Sequence, residues 1–135
     1  YVMVTIRPDI SHAVGVVSIF MHNPDRSHWN AVKHVFRYLD GTKDHDILFG
    51  PNPTSGVVGY TDSGFIGCVD SRKSITGYCF KLGNGAISWK SKLQECTATS
   101  MTAPDAAKEA LWLGRLAHMF RQVDSDSAPV VYSDT

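Results

Sequence analysis

No sign of charge dominates these 135 residues: thirteen Lys and Arg balance thirteen Asp and Glu. That balance removes the broadest cue for a nucleic-acid-binding domain, a net basic surface, while leaving room for a local basic face. Cysteine is scarce. Cys68, Cys79 and Cys96 stand eleven and seventeen residues apart, and an odd count without paired spacing builds neither a disulfide framework nor a zinc site. They read as small thiols of an intracellular chain. No two of the six histidines are four residues apart, so a helical metal pair is absent from the pattern. No apolar run approaches the roughly eighteen residues of a membrane span, so no membrane partner is expected. The N-terminus lacks signal-peptide organisation and does not begin with Met, and the chain stops just after an apolar run. Both ends are expected to be cut from something longer.

What is present suffices for a core: 43% of residues are hydrophobic. Asp9 reads as the cap of a helix to about Met21, with Ile10, Val14, Val17 and Met21 on one stripe. A second helix is predicted from Asp25 or Ser27, with Trp29, Val32, Phe36 and Leu39 on one face. Gly41 is expected to close it in a left-handed conformation. These make a helical hairpin over 1–50, with a short strand candidate at 47–49, and Lys33 and Arg37 on its charged side offer a phosphate contact or a plain solvated face. A Gly- and Pro-rich linker at 51–56 follows.

From 57 the hydrophobic period becomes two. Strands are predicted at 57–63, 77–82 and 86–92, the last two joined by a tight turn at Gly83-Asn-Gly85. In the third strand Ile87, Trp89 and Ser91 alternate with Ser88, Lys90 and Lys92, which predicts one buried and one basic face. A helix over 103–121 has Thr102 and Asp105 at capping-box spacing. A last strand runs over 130–134. The order predicts an α/β domain over 57–135: three antiparallel strands, a crossover helix and one parallel strand.

Two segments share a form, Tyr60-Thr-Asp62-Ser and Tyr132-Ser-Asp134-Thr. Each sets an acid at the carboxyl end of an apolar strand, where open α/β sheets gather ligands. If the strands are parallel neighbours, the carboxylates of Asp62 and Asp134 meet and offer the oxygen ligands that Mg²⁺ prefers. Two turn-forming aspartates would produce the same pattern.

Further motifs narrow the choice. Arg7-Pro-Asp-Ile-Ser11, His28-Trp-Asn-Ala-Val-Lys33 and Arg37-Tyr-Leu-Asp-Gly-Thr42 resemble the end of the polymerase region in copia-type retrotransposon Pol polyproteins. Gly59-Tyr-Thr-Asp-Ser63, Asp70-Ser-Arg-Lys-Ser74, Gly77-Tyr-Cys79, Ile87-Ser-Trp-Lys-Ser91, Ala106-Ala-Lys-Glu-Ala-Leu-Trp-Leu113 and Val131-Tyr-Ser-Asp134 resemble, in order, the ribonuclease H domain that follows it. The resemblance implies a ribonuclease H-like fold, Mg²⁺ dependence and cleavage of the RNA strand of an RNA–DNA hybrid. It makes Asp62 and Asp134 metal ligands and the polymerase region of the same polyprotein a missing partner. Asp70, Arg72 and Lys73 match a family segment between the first two strands.

The departures point to inactivity. The family pattern runs Ser-Thr-Thr-Glu-Ala-Glu-Tyr-Met into the long helix and supplies a metal-binding Glu there. Here Ser100 is followed at once by Met101, so six residues, that Glu among them, are absent. Gly64 stands where the family often has a second Asp, and the family's last acidic ligand is expected beyond Thr135. Asp105 and Glu109 are the nearest substitutes; a helix cap and a solvent- or cation-paired acid are their simpler roles. Two classes therefore remain: a ribonuclease H segment catalytically dead as it stands, with Mg²⁺ bound weakly or not at all, and a non-catalytic remnant that holds nucleic acid through Arg72, Lys73, Lys90 and Lys92.

Overall fold

The computed structural model describes residues 5–49, 56–63, 75–93, 102–120 and 128–133. The chain divides into two compact units, Tyr1–Asp46 and Ile47–Thr135. No helix among the described residues is long and apolar enough to cross a membrane.

The first unit pairs α1 (Pro8–Ile19) with α2 (Arg26–Gly41). Asp9 does not cap α1. Arg7 holds the cap position without a side-chain bond, and Pro8 opens the helix, its fixed φ and missing N–H suiting the first turn. Asp9 lies inside that turn, where its charge complements the helix dipole. Its carboxylate accepts from the Arg7 guanidinium at 2.7 Å and 3.0 Å. The same guanidinium donates to Thr42 Oγ1 at 2.7 Å and stands 5.8 Å from the Tyr38 ring centroid. Arg7 thus ties the start of α1 to the end of α2, 35 residues away. The Arg7 hydrogen bond, with the positive charge behind it, holds the Asp9 carboxyl down at about 2.

Asp25 caps α2 as expected, and its partner in the capping box is His28. The left-handed Gly41 is not found: Gly41 is the last helical residue, and Thr42 closes the helix at φ −125°. Thr42 makes the glycine unnecessary. Its amide donates to the Leu39 carbonyl and its hydroxyl to that of Tyr38 at 2.7 Å, so the final carbonyls are satisfied locally. Ile10, in the first turn of α1, is 2% exposed, whereas Trp29 and Phe36 on the apolar face of α2 are 60% and 58% exposed.

The second unit is a mixed sheet of order β3-β2-β1-β4 covered on one face by a helix. Its strands are β1 (Val57–Ser63), β2 (Ile75–Leu82), β3 (Gly85–Leu93) and β4 (Val130–Ser133), with α3 (Thr102–Met119) between β3 and β4. The three meandering strands are antiparallel and β4 runs parallel to β1, as the sequence predicts. Gly83, at φ 59°, supplies the left-handed turn residue of the β2–β3 hairpin. Ala106, Ala110, Leu113 and Ala117, at helical spacing, bury against Val57 and Phe80. Phe80 is wholly buried because Gly59, its cross-strand partner, leaves room: a Cβ there would strike the ring.

Two further expectations are corrected in this unit. Ile47, Leu48 and Phe49 form no strand, since three residues offer too few ladder bonds to offset their ordering. The Phe49 ring instead lies against Gly85, filling the place of a Cβ. The division of β3 holds only in part: Ser88, Lys90 and Lys92 share one face and Trp89 and Ser91 the other, but Ile87 leaves its expected side and the basic face is the one toward α3. The register slips beside Phe80 and Lys81, leaving Ile87 as an extra residue between the Ala86 and Ser88 pairs. Such a bulge reverses the phase of alternation. Ile87 packs with Phe80 on the helix side, and Ser88 and Lys90, paired with Phe80 and Tyr78, share that side. Trp89, paired with Cys79, faces the opposite way. The linker at 51–55 lies outside the described residues.

Candidate functional site

Asp62 is the sixth of seven residues in β1 and is exposed. The parallel pairing brings β1 and β4 level through Val58–Val130, Gly59–Val131, Tyr60–Tyr132 and Thr61–Ser133. One further step along β1 is Asp62; the corresponding step along β4 is Asp134, which lies outside the described residues. The strand ends are held together by Thr61 Oγ1, which donates to the Tyr132 carbonyl at 3.3 Å. Tyr60 and Tyr132, two residues ahead of each acid, stack with centroids 5.6 Å apart. Sequence reasoning did not find that pair, although the repeated Tyr-x-Asp form carries its signal once the strands are parallel neighbours.

The face on which Asp62 lies follows from pairing. Asp62 is opposite Gly77, and Gly77 opposite Ser91; the adjacent rank is Thr61, Tyr78 and Lys90. Tyr78 packs against the core beneath α3. Because side chains alternate along a strand, Asp62 belongs to the face away from α3.

The acids offered as substitutes belong to the other face and are engaged there. Glu109 Oε1 accepts from Ser88 Oγ at 2.7 Å, a hydroxyl rather than the expected solvent or cation. Asp105 pairs with Lys90, Nζ to Oδ2 3.4 Å, across to β3. The spacings match: four residues of helix rise about 6 Å and two residues of strand about 6.6 Å. An acid pair at i, i+4 therefore meets donors at i, i+2, a match visible in sequence only after the bulge sets which way Ser88 and Lys90 point. Burial raises the Tyr78 hydroxyl, with the charge of Glu109 adding to it.

Of the four residues expected to hold nucleic acid, Lys90 is bound to Asp105 with its side chain 46% exposed, and Lys92 is exposed two residues further along β3. Arg72 and Lys73 lie outside the described residues, as do Asp70, Gly64, Cys68 and Cys96. Burial pushes the Cys79 thiol up, which suits a small packed residue. Among the described residues no group of three or more His, Cys, Asp or Glu side chains could hold a metal ion. The described acids do not fit a two-ion centre: Asp62 is on one face and Asp105 and Glu109 are on the other.

The chain is 50% identical over 121 residues to a retrovirus-related Pol polyprotein from transposon TNT 1-94 of Nicotiana tabacum, a match covering 85% of this chain and 9% of that protein. It is 37% identical over 134 residues to the Pol polyprotein from transposon RE2 of Arabidopsis thaliana, covering 95% of this chain and again 9% of the relative. A protein named secreted RxLR effector protein 161, of Plasmopara viticola, is 44% identical over 119 residues, 84% of each chain. The chain thus spans about a tenth of the length of the polyproteins it matches. No family model matches it, and no solved structure does.

Proposed function

This chain belongs to the copia-type retrotransposon Pol polyproteins, and from that premise we propose that residues 57–135 are a ribonuclease H-like segment that does not cleave RNA–DNA hybrid as it stands. The hairpin over 1–50 is then the connection from the polymerase region of the same polyprotein, and the intact protein works inside the cell. One observation carries the inactivity: α3 presents Asp105 and Glu109 to Lys90 and Ser88, on the sheet face away from Asp62. Metal-assisted phosphodiester cleavage needs ions held by several carboxylates at once, about 4 Å apart. The Glu that the family carries before the long helix falls in the six absent residues. Their loss draws the helix start forward by roughly 9 Å, and no rotamer change bridges that distance.

The test is hydrolysis of a labelled RNA–DNA hybrid with Mg²⁺ or Mn²⁺, run beside Asp62→Asn. No cleavage is expected from either protein. Cleavage that vanishes in Asp62→Asn would overturn the reading.

The exposure of Lys90 and Lys92 on β3 supports a second, weaker reading, binding without cleavage. Residual hybrid binding would rest on phosphate contacts, with low affinity and a strong salt dependence. Replacing Lys90 and Lys92 by Ala should lower both the affinity and the salt slope. Unchanged binding between low and physiological salt would show that these lysines serve the fold alone.

A further inference from the structure

The N-terminus of α2 carries a titratable side chain where a capping box ordinarily has Glu or Gln. His28 Nδ1 accepts the backbone N–H of Asp25 at 2.9 Å, while the Asp25 carboxylate returns bonds to the first amides of the helix. An imidazole can accept at Nδ1 only while that nitrogen has no proton, so the neutral ring carries its proton on Nε2. The ring is half-buried and stacks on Phe20 at the end of α1, centroids 4.1 Å apart and planes within 14°. It also lines an apolar groove with Val17, Met21, Pro24, Trp29 and Val32. One side chain thus closes the helix start and joins it to the preceding helix.

We propose that His28 makes this cap pH-dependent: protonation opens the Asp25–His28 bond and frays the first turn of α2. A protonated Nδ1 is a donor facing a donor, so the bond cannot survive. A cation in the first turn also opposes the helix dipole. The groove wall from α1 and the turn, Val17, Phe20, Met21 and Pro24, brings no charge to the ring. The titratable groups of the surrounding segment are Asp25 and Arg26 at the cap and His22 in the turn. The Asp25 carboxylate draws the imidazolium, but it is already engaged by the Arg26 amide and the Ser27 hydroxyl. Stacking on Phe20 can persist in either state, so the amide bond is the part that switches.

The experiment is amide hydrogen exchange at Asp25, by NMR on the full chain, from pH 8 to pH 5.5. This window covers imidazole titration and stays above that of ordinary carboxylates. Protection at Asp25, corrected for the intrinsic pH dependence of exchange, should fall about fivefold, the loss of one net hydrogen bond. His28→Gln keeps an acceptor at the same position without a titrating proton and should hold protection constant across the range. The same fall in His28→Gln, or no fall in the natural chain, would overturn the proposal.

Discussion

The two units of this chain are stabilised in opposite ways. The sheet unit has an apolar core of its own, in which Phe80 is wholly buried between Gly59 and the small residues of α3. The helical unit buries Ile10 and Ser11 among its described residues, while Trp29, Phe36 and Met21 remain largely exposed. It is tied instead by polar links at its two ends: Arg7 to Asp9 and Thr42 at one, Asp25 with His28 at the other. Hydrophobic burial is insensitive to pH and local charge; hydrogen-bonded caps and ion pairs are not. The hairpin is therefore the unit that acidity and single polar substitutions should disturb, and the sheet unit the one that core truncation should.

The largest effect is expected from Phe80→Ala. Emptying that site should cost about 3–5 kcal/mol, the usual range for a buried Phe, and should fall on the sheet unit. Denaturant unfolding followed by resolved amide signals would show β1 and β2 failing early while α1 and α2 keep their midpoint. A common shift in both units would mean that they do not unfold separately. Next is Gly59→Ala, whose new Cβ meets the Phe80 ring. It should cost about 1–3 kcal/mol by overpacking, in the same unit and by the same measurement.

In the hairpin the sign can reverse. Ser11 is 4% exposed and its Oγ has no hydrogen-bond partner among the described residues. Ser11→Ala removes an unsatisfied buried hydroxyl and should stabilise the hairpin by about 1 kcal/mol, read as a higher midpoint for α1 and α2 alone. The smallest effect concerns Asp9. With its carboxyl held at about 2, below its ordinary 3.8, the Arg7 contact contributes fully above about pH 4 and is lost as the pH falls through about 2. Hairpin stability should decline across that window, and Asp9→Asn should flatten the decline. An unchanged acid limb in Asp9→Asn would assign it to other carboxyls.

Much of this architecture was legible because it is local. Turn chemistry and alternation placed β1 at 57–63, which is where it lies. The apolar stripe of α2 put its start at Asp25 or Ser27, and Asp25 is the cap. The parallel pairing of β1 with β4 followed from the crossover helix between them. What escaped depends on distant residues. The bulge at Ile87 is set where β3 passes Phe80, and no pattern within 86–92 announces it. It puts Ile87 on the same side as Ser88 and Lys90, toward α3, where these two meet Glu109 and Asp105. Asp9 leaves the cap of α1 because it answers to Arg7, whose other partner, Thr42, is 35 residues on. The acids at the strand ends stood out for the reason that made them interesting: charge at the end of an apolar run. Which face each acid occupies depended on the sheet.

The placement of Asp62 away from the α3 acids has one direct measurement. Mn²⁺ can be titrated into the isotopically labelled full chain while paramagnetic broadening is followed at Asp62, Asp105 and Glu109. The expected result is weak broadening confined to the ends of β1 and β4, lost in Asp62→Asn, with Asp105 and Glu109 unaffected beyond what free ion produces. Broadening of Asp62 together with Glu109 or Asp105, saturating as one tight site and lost in Asp62→Asn, would contradict it and place these acids around a shared metal.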